Sequence, residues 1–133
     1  MKTVAAVLVN FKGWRDTVRC LESITELAYP HVDVVVVENA SNDESAAEIL
    51  RAFERLKQST AAEPAGTDEP SARTYTLLEQ SENLGFSGGN NAGIEYAAAT
   101  LEADYIWLIN NDTVVDSLAL TELVAAFETS AQA

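Results

Sequence analysis

Asn110-Asn111-Asp112 places one carboxylate and two amides directly after an apolar run, Tyr105 to Ile109. A run of that kind stopping at polar groups is the pattern of a buried parallel strand that delivers side chains at its carboxyl end. Hard cations such as Mg2+ or Mn2+ prefer oxygen donors and are commonly held through one carboxylate plus the oxygens of a diphosphate. The stretch is therefore a candidate site for a metal ion or a phosphate-bearing ligand. Taken alone, it reads better as a capped strand end with Asp112 as a turn residue.

Three earlier clusters change that weighing. Asn10–Lys12, Glu38–Asn42 and Asn83–Asn91 each follow a segment that reads as a strand. In a parallel sheet all four clusters share the rim at the carboxyl ends, where open α/β sheets bind ligands. Gly85, Gly88, Gly89 and Gly93 exceed what a single turn requires and lead into a helix, whose free N–H groups favour an anion. The segment is not a P-loop, since no Gly-Lys-Ser/Thr follows, and its spacing is not Gly-x-Gly-x-x-Gly.

The elements that must carry these clusters are legible in order. Thr3–Val9 reads as a first strand, and Arg15–Leu27 as a helix with Val18, Leu21, Ile24 and Leu27 on one face,. Asp33–Glu38, with Val34 to Val37 stiff at χ1, suits a central strand. Ser41-Asn42-Asp43-Glu44 has the spacing of a capping box for a second helix bearing Ile49, Leu50, Phe53 and Leu56,. Residues 57–72 turn to Ser, Thr, Ala, Glu, Pro and Gly, the composition of a flexible surface loop inside a single domain spanning residues 1–133,.

Arg73–Leu78 reads as a weaker edge strand, an Ala-rich helix runs to about Leu101, and Tyr105–Ile109 is the fourth strand. Asp116 or Ser117 can cap a last helix with Leu120, Val124 and Phe127,. Strands alternating with helices predict a three-layer α/β/α domain with a mainly parallel sheet and right-handed crossovers. His31 reads as an exposed turn residue, and Trp14 and Trp107 as packing residues,.

The balance of 21 acidic against 8 basic residues gives a formal charge of −13, which argues against nucleic acid or an anionic membrane as partner,. Such a surface suits solubility, and also a high-salt environment where screening softens self-repulsion. Cys20 is the single cysteine, so no internal disulfide forms and a reducing cytoplasm fits,. Met1–Val9 is followed by Asn10-Phe11-Lys12-Gly13 in place of a small-residue cleavage site, which favours a first strand over a signal peptide,.

Val9-Asn10-Phe11-Lys12-Gly13, Val37-Glu38-Asn39-Ala40-Ser41-Asn42-Asp43, the segment Glu82 to Gly93, and Leu108-Ile109-Asn110-Asn111-Asp112-Thr113 together resemble the successive motifs of family 2 glycosyltransferases, most closely the rhamnosyltransferase-like branch. The resemblance covers nearly the whole chain. It implies a GT-A fold with sheet order 3-2-1-4, a UDP- or dTDP-sugar donor, a divalent metal, Mg2+ or Mn2+, and a polysaccharide or lipid-linked acceptor. It further implies cytoplasmic work, at the inner face of the membrane.

Position by position, the resemblance implies that Asn10 and Phe11 border the nucleobase and that Glu38 stands at the family's usual aspartate near base or ribose. Asn83, Gly85, Asn90 and Asn111 would line the nucleotide-sugar, and Asn110-x-Asp112 would replace the Asp-x-Asp metal motif. Lys12 stands where Asn is frequent, Glu38 is one methylene longer than Asp, and Asn110 is uncharged, so metal binding is expected to lean on Asp112. In the family the chain continues into an acceptor site and a catalytic base. Ending at Ala133, this chain reads as the nucleotide-binding part of a truncated GT-A domain with little or no turnover, the base lying beyond it. A non-catalytic nucleotide-binding or protein-association module is the alternative. Strand Tyr105–Ile109, left at an edge, is expected to self-associate into a homo-oligomer or to be covered by the last helix.

Overall fold

Val34 to Val37 are all fully buried, which requires a strand covered on both faces. The computed structural model describes residues 1–59 and 72–132, and strands and helices alternate throughout. In chain order they are β1 (Val4–Asn10), α1 (Trp14–Thr25), β2 (His31–Glu38), α2 (Ser45–Ser59), β3 (Ala72–Glu79), α3 (Gly85–Ala99), β4 (Tyr105–Leu108) and α4 (Ala119–Gln132). The sheet order is β3-β2-β1-β4, and every pairing is parallel, with Val9 beside Val37 and Val7 beside Leu108. The expected three-layer architecture and strand order are both present.

Alternation along each strand sorts the core into two clusters. Val4, Ala6 and Leu8 with Val32, Val34 and Val36 meet Leu21 and Ile24 of α1, Ile49 and Phe53 of α2, and Leu120 of α4. Val7, Val9, Val35 and Val37 face α3 on the opposite side, against Ala92 and Tyr96. β1 and β2 are therefore central, while β3 and β4 are edges. Half-buried Arg73 donates to the carbonyls of Leu27 at 2.7 Å and Tyr29 at 3.0 Å, and to that of Ile24, so that it caps the end of α1,.

Several boundaries differ from the sequence expectation, each for a local reason. Ser41 does not cap α2, because its hydroxyl already bonds Glu38; Asp43 Oδ1 accepts from the Ser45 N–H at 2.8 Å instead, and the helix starts there. His31, expected in a turn, is the first residue of β2, drawn in by pairing with Ala72. The glycine segment does not precede a helix but forms its first half. A Cβ on Gly93 would lie 2.3 Å from Val7 Cγ1, and one on Gly89 would lie 2.9 Å from Val9 Cγ1, so these glycines let α3 approach the sheet.

α4 starts after Asp116, whose carboxylate accepts from the Leu118 N–H at 3.0 Å, as expected for a cap,. Of the loop expected over 57–72, residues 57–59 belong to α2 and Ala72 opens β3; residues 60–71 lie outside the described residues. Among the described residues no helix is long and apolar enough to cross a membrane. α4 packs on the face of β4, where Tyr105 and Phe127 stack at 5.6 Å, and leaves the strand's outer edge without a strand partner among the described residues.

Candidate nucleotide and metal site

Parallel pairing brings the carboxyl ends of all four strands to one rim, and the loops leaving β1 and β2 are held in unusual backbone conformations. Lys12 (φ 55°), Ala40 (φ 60°) and Asn42 (φ 55°) occupy the left-handed region, which is unfavourable for residues with a Cβ and is tolerated only where surrounding bonds enforce it. Those bonds are visible. The Lys12 N–H donates to Ser41 Oγ at 2.8 Å, the Asn39 N–H donates to the Asn10 carbonyl at 2.9 Å, and the Ser41 N–H reaches Glu38 Oε2 at 3.2 Å.

Beneath this rim lies a saturated polar cluster. Asn10 is fully buried and Glu38 is 5% exposed. Asn10 Nδ2 donates to Glu38 Oε1 at 3.3 Å and to Ser41 Oγ at 3.5 Å, while its Oδ1 accepts from the Thr17 hydroxyl at 2.7 Å. Burying these groups without partners would cost about 1–3 kcal/mol each, and each is partnered.

Above the rim is an open cleft of about 270 Å³, lined by Val9, Phe11, Asn39, Asn83, Gly85, Phe86 and Asn111. None of these side chains is charged, although the chain as a whole carries −13. Phe11 is 45% and Phe86 62% exposed. Exposed aromatics beside amides suit a flat heteroaromatic ring that stacks on its faces and hydrogen-bonds at its edge. Asn39 shapes the floor, accepting from the Leu84 N–H at 3.0 Å and donating to the Gly85 carbonyl at 2.9 Å. Gly85, at φ 76°, takes a conformation few other residues adopt,, and its N–H is turned onto Asn83 Oδ1 at 2.8 Å.

The structure thus brings Phe11, Asn83, Gly85 and Asn111 into one cleft, places Asn10 and Glu38 in the layer below it, and buries Asn90 on α3 away from the lining. Asn39, Phe86 and Thr17 are additions that the sequence reading did not single out. Only Phe86 carried a signal, as a large aromatic inside the glycine segment. Lys12 sets its ammonium 5.3 Å from the Phe11 ring centroid,.

Asn110 and Asp112 occupy the turn after β4, next to Asn111, and both are exposed. The turn is closed by the Thr113 N–H bonding the Asn110 carbonyl at 3.1 Å. Among the described residues no three His, Cys, Asp or Glu side chains converge as a metal cage. One exposed carboxylate beside an exposed amide fits a cation completed by water and a ligand's phosphates, and does not fit a free-standing protein cage. Cys20 is excluded from the chemistry: burial, and secondarily the charge of Asp112, push its thiol up to about 12, so it stays neutral near pH 7.

Solved structures with the same fold are glycosyltransferase-sized chains of which this one spans about a third. It covers 92% of its length on the mannosyltransferase PcManGT from Pyrobaculum calidifontis, solved with GDP-Man and Mn2+, at 21% identity, a TM-score of 0.72 and 31% of that chain. On S. aureus TarS it covers 96% at 15% identity, a TM-score of 0.67 and 32% of that chain; the TarS complex with UDP-GlcNAc gives 14% identity, a TM-score of 0.69 and 31% of that chain. No curated protein matches the sequence. The model for glycosyl transferase family 2 matches residues 6–133, and on that match, carried by the fold and rim described above, the chain belongs to the family 2 glycosyltransferases.

Proposed function

We propose that the chain is the donor-binding part of a glycosyltransferase of the rhamnosyltransferase-like branch, taking a UDP- or dTDP-sugar with Mg2+ or Mn2+ for transfer to a polysaccharide or lipid-linked acceptor in the cytoplasm, at the inner face of the membrane. The observation that carries this reading is the uncharged, aromatic-flanked cleft running directly into the exposed Asn110–Asp112 turn. The cleft suits a neutral base, and the turn suits the charged diphosphate end.

In this arrangement Phe11 and Phe86 flank the base, the amides of Asn83 and Asn111 meet its polar edge and the ribose, and Asp112, with Asn110 beside it, holds the cation. Bound there, a divalent cation supplies charge neutralisation that makes the nucleoside diphosphate a better leaving group. The lining is without an acidic or basic side chain, so activation of an acceptor hydroxyl is not assigned to the cleft. The nucleotide complexes of the two neighbours named above support a nucleoside-diphosphate ligand in this fold.

Calorimetric titration of UDP, dTDP and GDP, with and without Mn2+, tests the reading. The expected result is pyrimidine-nucleotide binding strengthened by Mn2+, with Asp112→Ala removing the Mn2+ effect. Metal-independent binding indifferent to Asp112→Ala would sink the metal site, and no nucleotide binding would sink the function.

A further inference from the structure

A continuous line of side-chain hydrogen bonds crosses from the turn after β4 to the end of β2, and its middle member belongs to neither. Asn111 Nδ2 donates to Thr17 Oγ1 at 3.1 Å. Thr17 donates its one proton to Asn10 Oδ1 at 2.7 Å, and Asn10 Nδ2 donates to Glu38 Oε1 at 3.3 Å. Every donor points towards the Glu38 carboxylate, an acceptor without protons of its own when ionised. The direction of the chain is therefore fixed, and with it the orientation of both amides.

Thr17 is fully buried on the inner face of α1. One helical turn on, Cys20 Sγ lies 4.0 Å from the Asn110 carbonyl, and a Cβ on Gly13 would stand 3.2 Å from Asn111 Nδ2. The start of α1 is thus pressed against the turn, yet Thr17 alone on that face joins Asn111 to Asn10 through one oxygen. A hydroxyl is required there: it must accept from one amide while donating to another, and an isosteric valine can do neither.

We propose that Thr17 is a positioning residue that couples the Asn110–Asp112 turn to the β1 and β2 rim, so that the cation-binding carboxylate and the base-binding cleft are held in one register. The proposal rests on the reading given under Proposed function, but its structural half does not. With the hydroxyl in place, Asn111 cannot leave the cleft wall without breaking a bond into the buried cluster. Without it, the turn is joined to β1 through backbone pairing alone, such as the Ile109 N–H to Val7 carbonyl bond at 2.9 Å.

The experiment compares the full chain with Thr17→Val and Thr17→Ser by amide hydrogen exchange and by UDP titration with and without Mn2+. In Thr17→Val the Thr113 amide should exchange roughly 10-fold faster beyond whatever acceleration Ile109 and the α1 amides share through the lower global stability. The ratio of UDP Kd without and with Mn2+ should fall about 5-fold or more, and Thr17→Ser should restore both readouts.

Unchanged Thr113 exchange in Thr17→Val overturns the proposal. So does a uniform acceleration across Thr113, Ile109 and α1, which marks a merely structural role. Should Thr17→Val not fold, Asn111→Ala removes the same bond from the exposed side and must give the same Thr113 acceleration; failure to do so overturns it as well. If the unaltered chain binds no nucleotide, the proposed function falls, while the exchange contrast between Thr113 and Ile109 still decides the role of Thr17.

Discussion

The ends of β1 and β2 and the end of β4 carry similar residues, amides and a carboxylate after an apolar run, yet the structure uses them oppositely. At the first, Asn10, Glu38 and Ser41 are buried and hydrogen-bonded to one another. At the second, Asn110 and Asp112 are exposed. The difference follows from sheet order: β1 and β2 are central, so their loops are enclosed by neighbours, whereas β4 has, among the described residues, a strand on one side only. Polar residues at a central strand end hold the frame, and those at an edge strand end remain available to a ligand.

The contrast breaks most readily at Glu38. Glu38→Ala strands Asn10 and the Ser41 N–H inside the fold and should cost about 2–4 kcal/mol in urea denaturation with an unchanged m-value; a loss near zero would mean the cluster is not a frame. Gly93→Ala puts a methyl where Val7 already stands and should cost about 1–3 kcal/mol by overpacking. A neutral result there would show that α3 is not seated as closely as described.

A smaller effect is expected at Asp43, where the Ser45 N–H holds the carboxyl below the usual carboxylate range. A depressed folded value means stability that is present above the ordinary aspartate pKa, about 3.9, and is lost as pH falls through the folded value. The protection of the Ser45 amide relative to its intrinsic exchange rate should therefore fall as pH drops below the ordinary aspartate pKa, about 3.9, and Asp43→Asn should remove that dependence. Smallest of all, Asp112→Ala should leave the melting temperature unchanged, since among the described residues no hydrogen bond or ion pair leans on that side chain. A clear destabilisation would move Asp112 from ligand-facing to structural.

The alternation of strands and helices and a cap at Asp116 or Ser117 were legible in the sequence, because period, stiffness and turn chemistry are local properties; the sheet order came only with the resemblance to family 2 glycosyltransferases. The role of the glycines was not: an anion site and a close helix-sheet contact both call for residues without a side chain, and only Val7 and Val9 standing beneath Gly93 and Gly89 decide between them. The capping box at Ser41 failed for a similar reason, since Glu38, three residues earlier, competes for the same hydroxyl. Asn39 and Thr17 act through partners 46 and 94 residues away, and no spacing rule reaches that far.

The seating of α3 has a consequence for how tightly the cleft grips. Gly93 works as a shim of zero thickness: it sets how low the helix rides, and the same rigid rod carries Gly85 and Phe86 at its N-terminal end, about 12 Å away by helical rise. Thickening the shim by one methyl would shift the rod, and the Phe86 wall with it, relative to the Phe11 wall, so the aperture of the cleft is adjustable from a residue outside its lining.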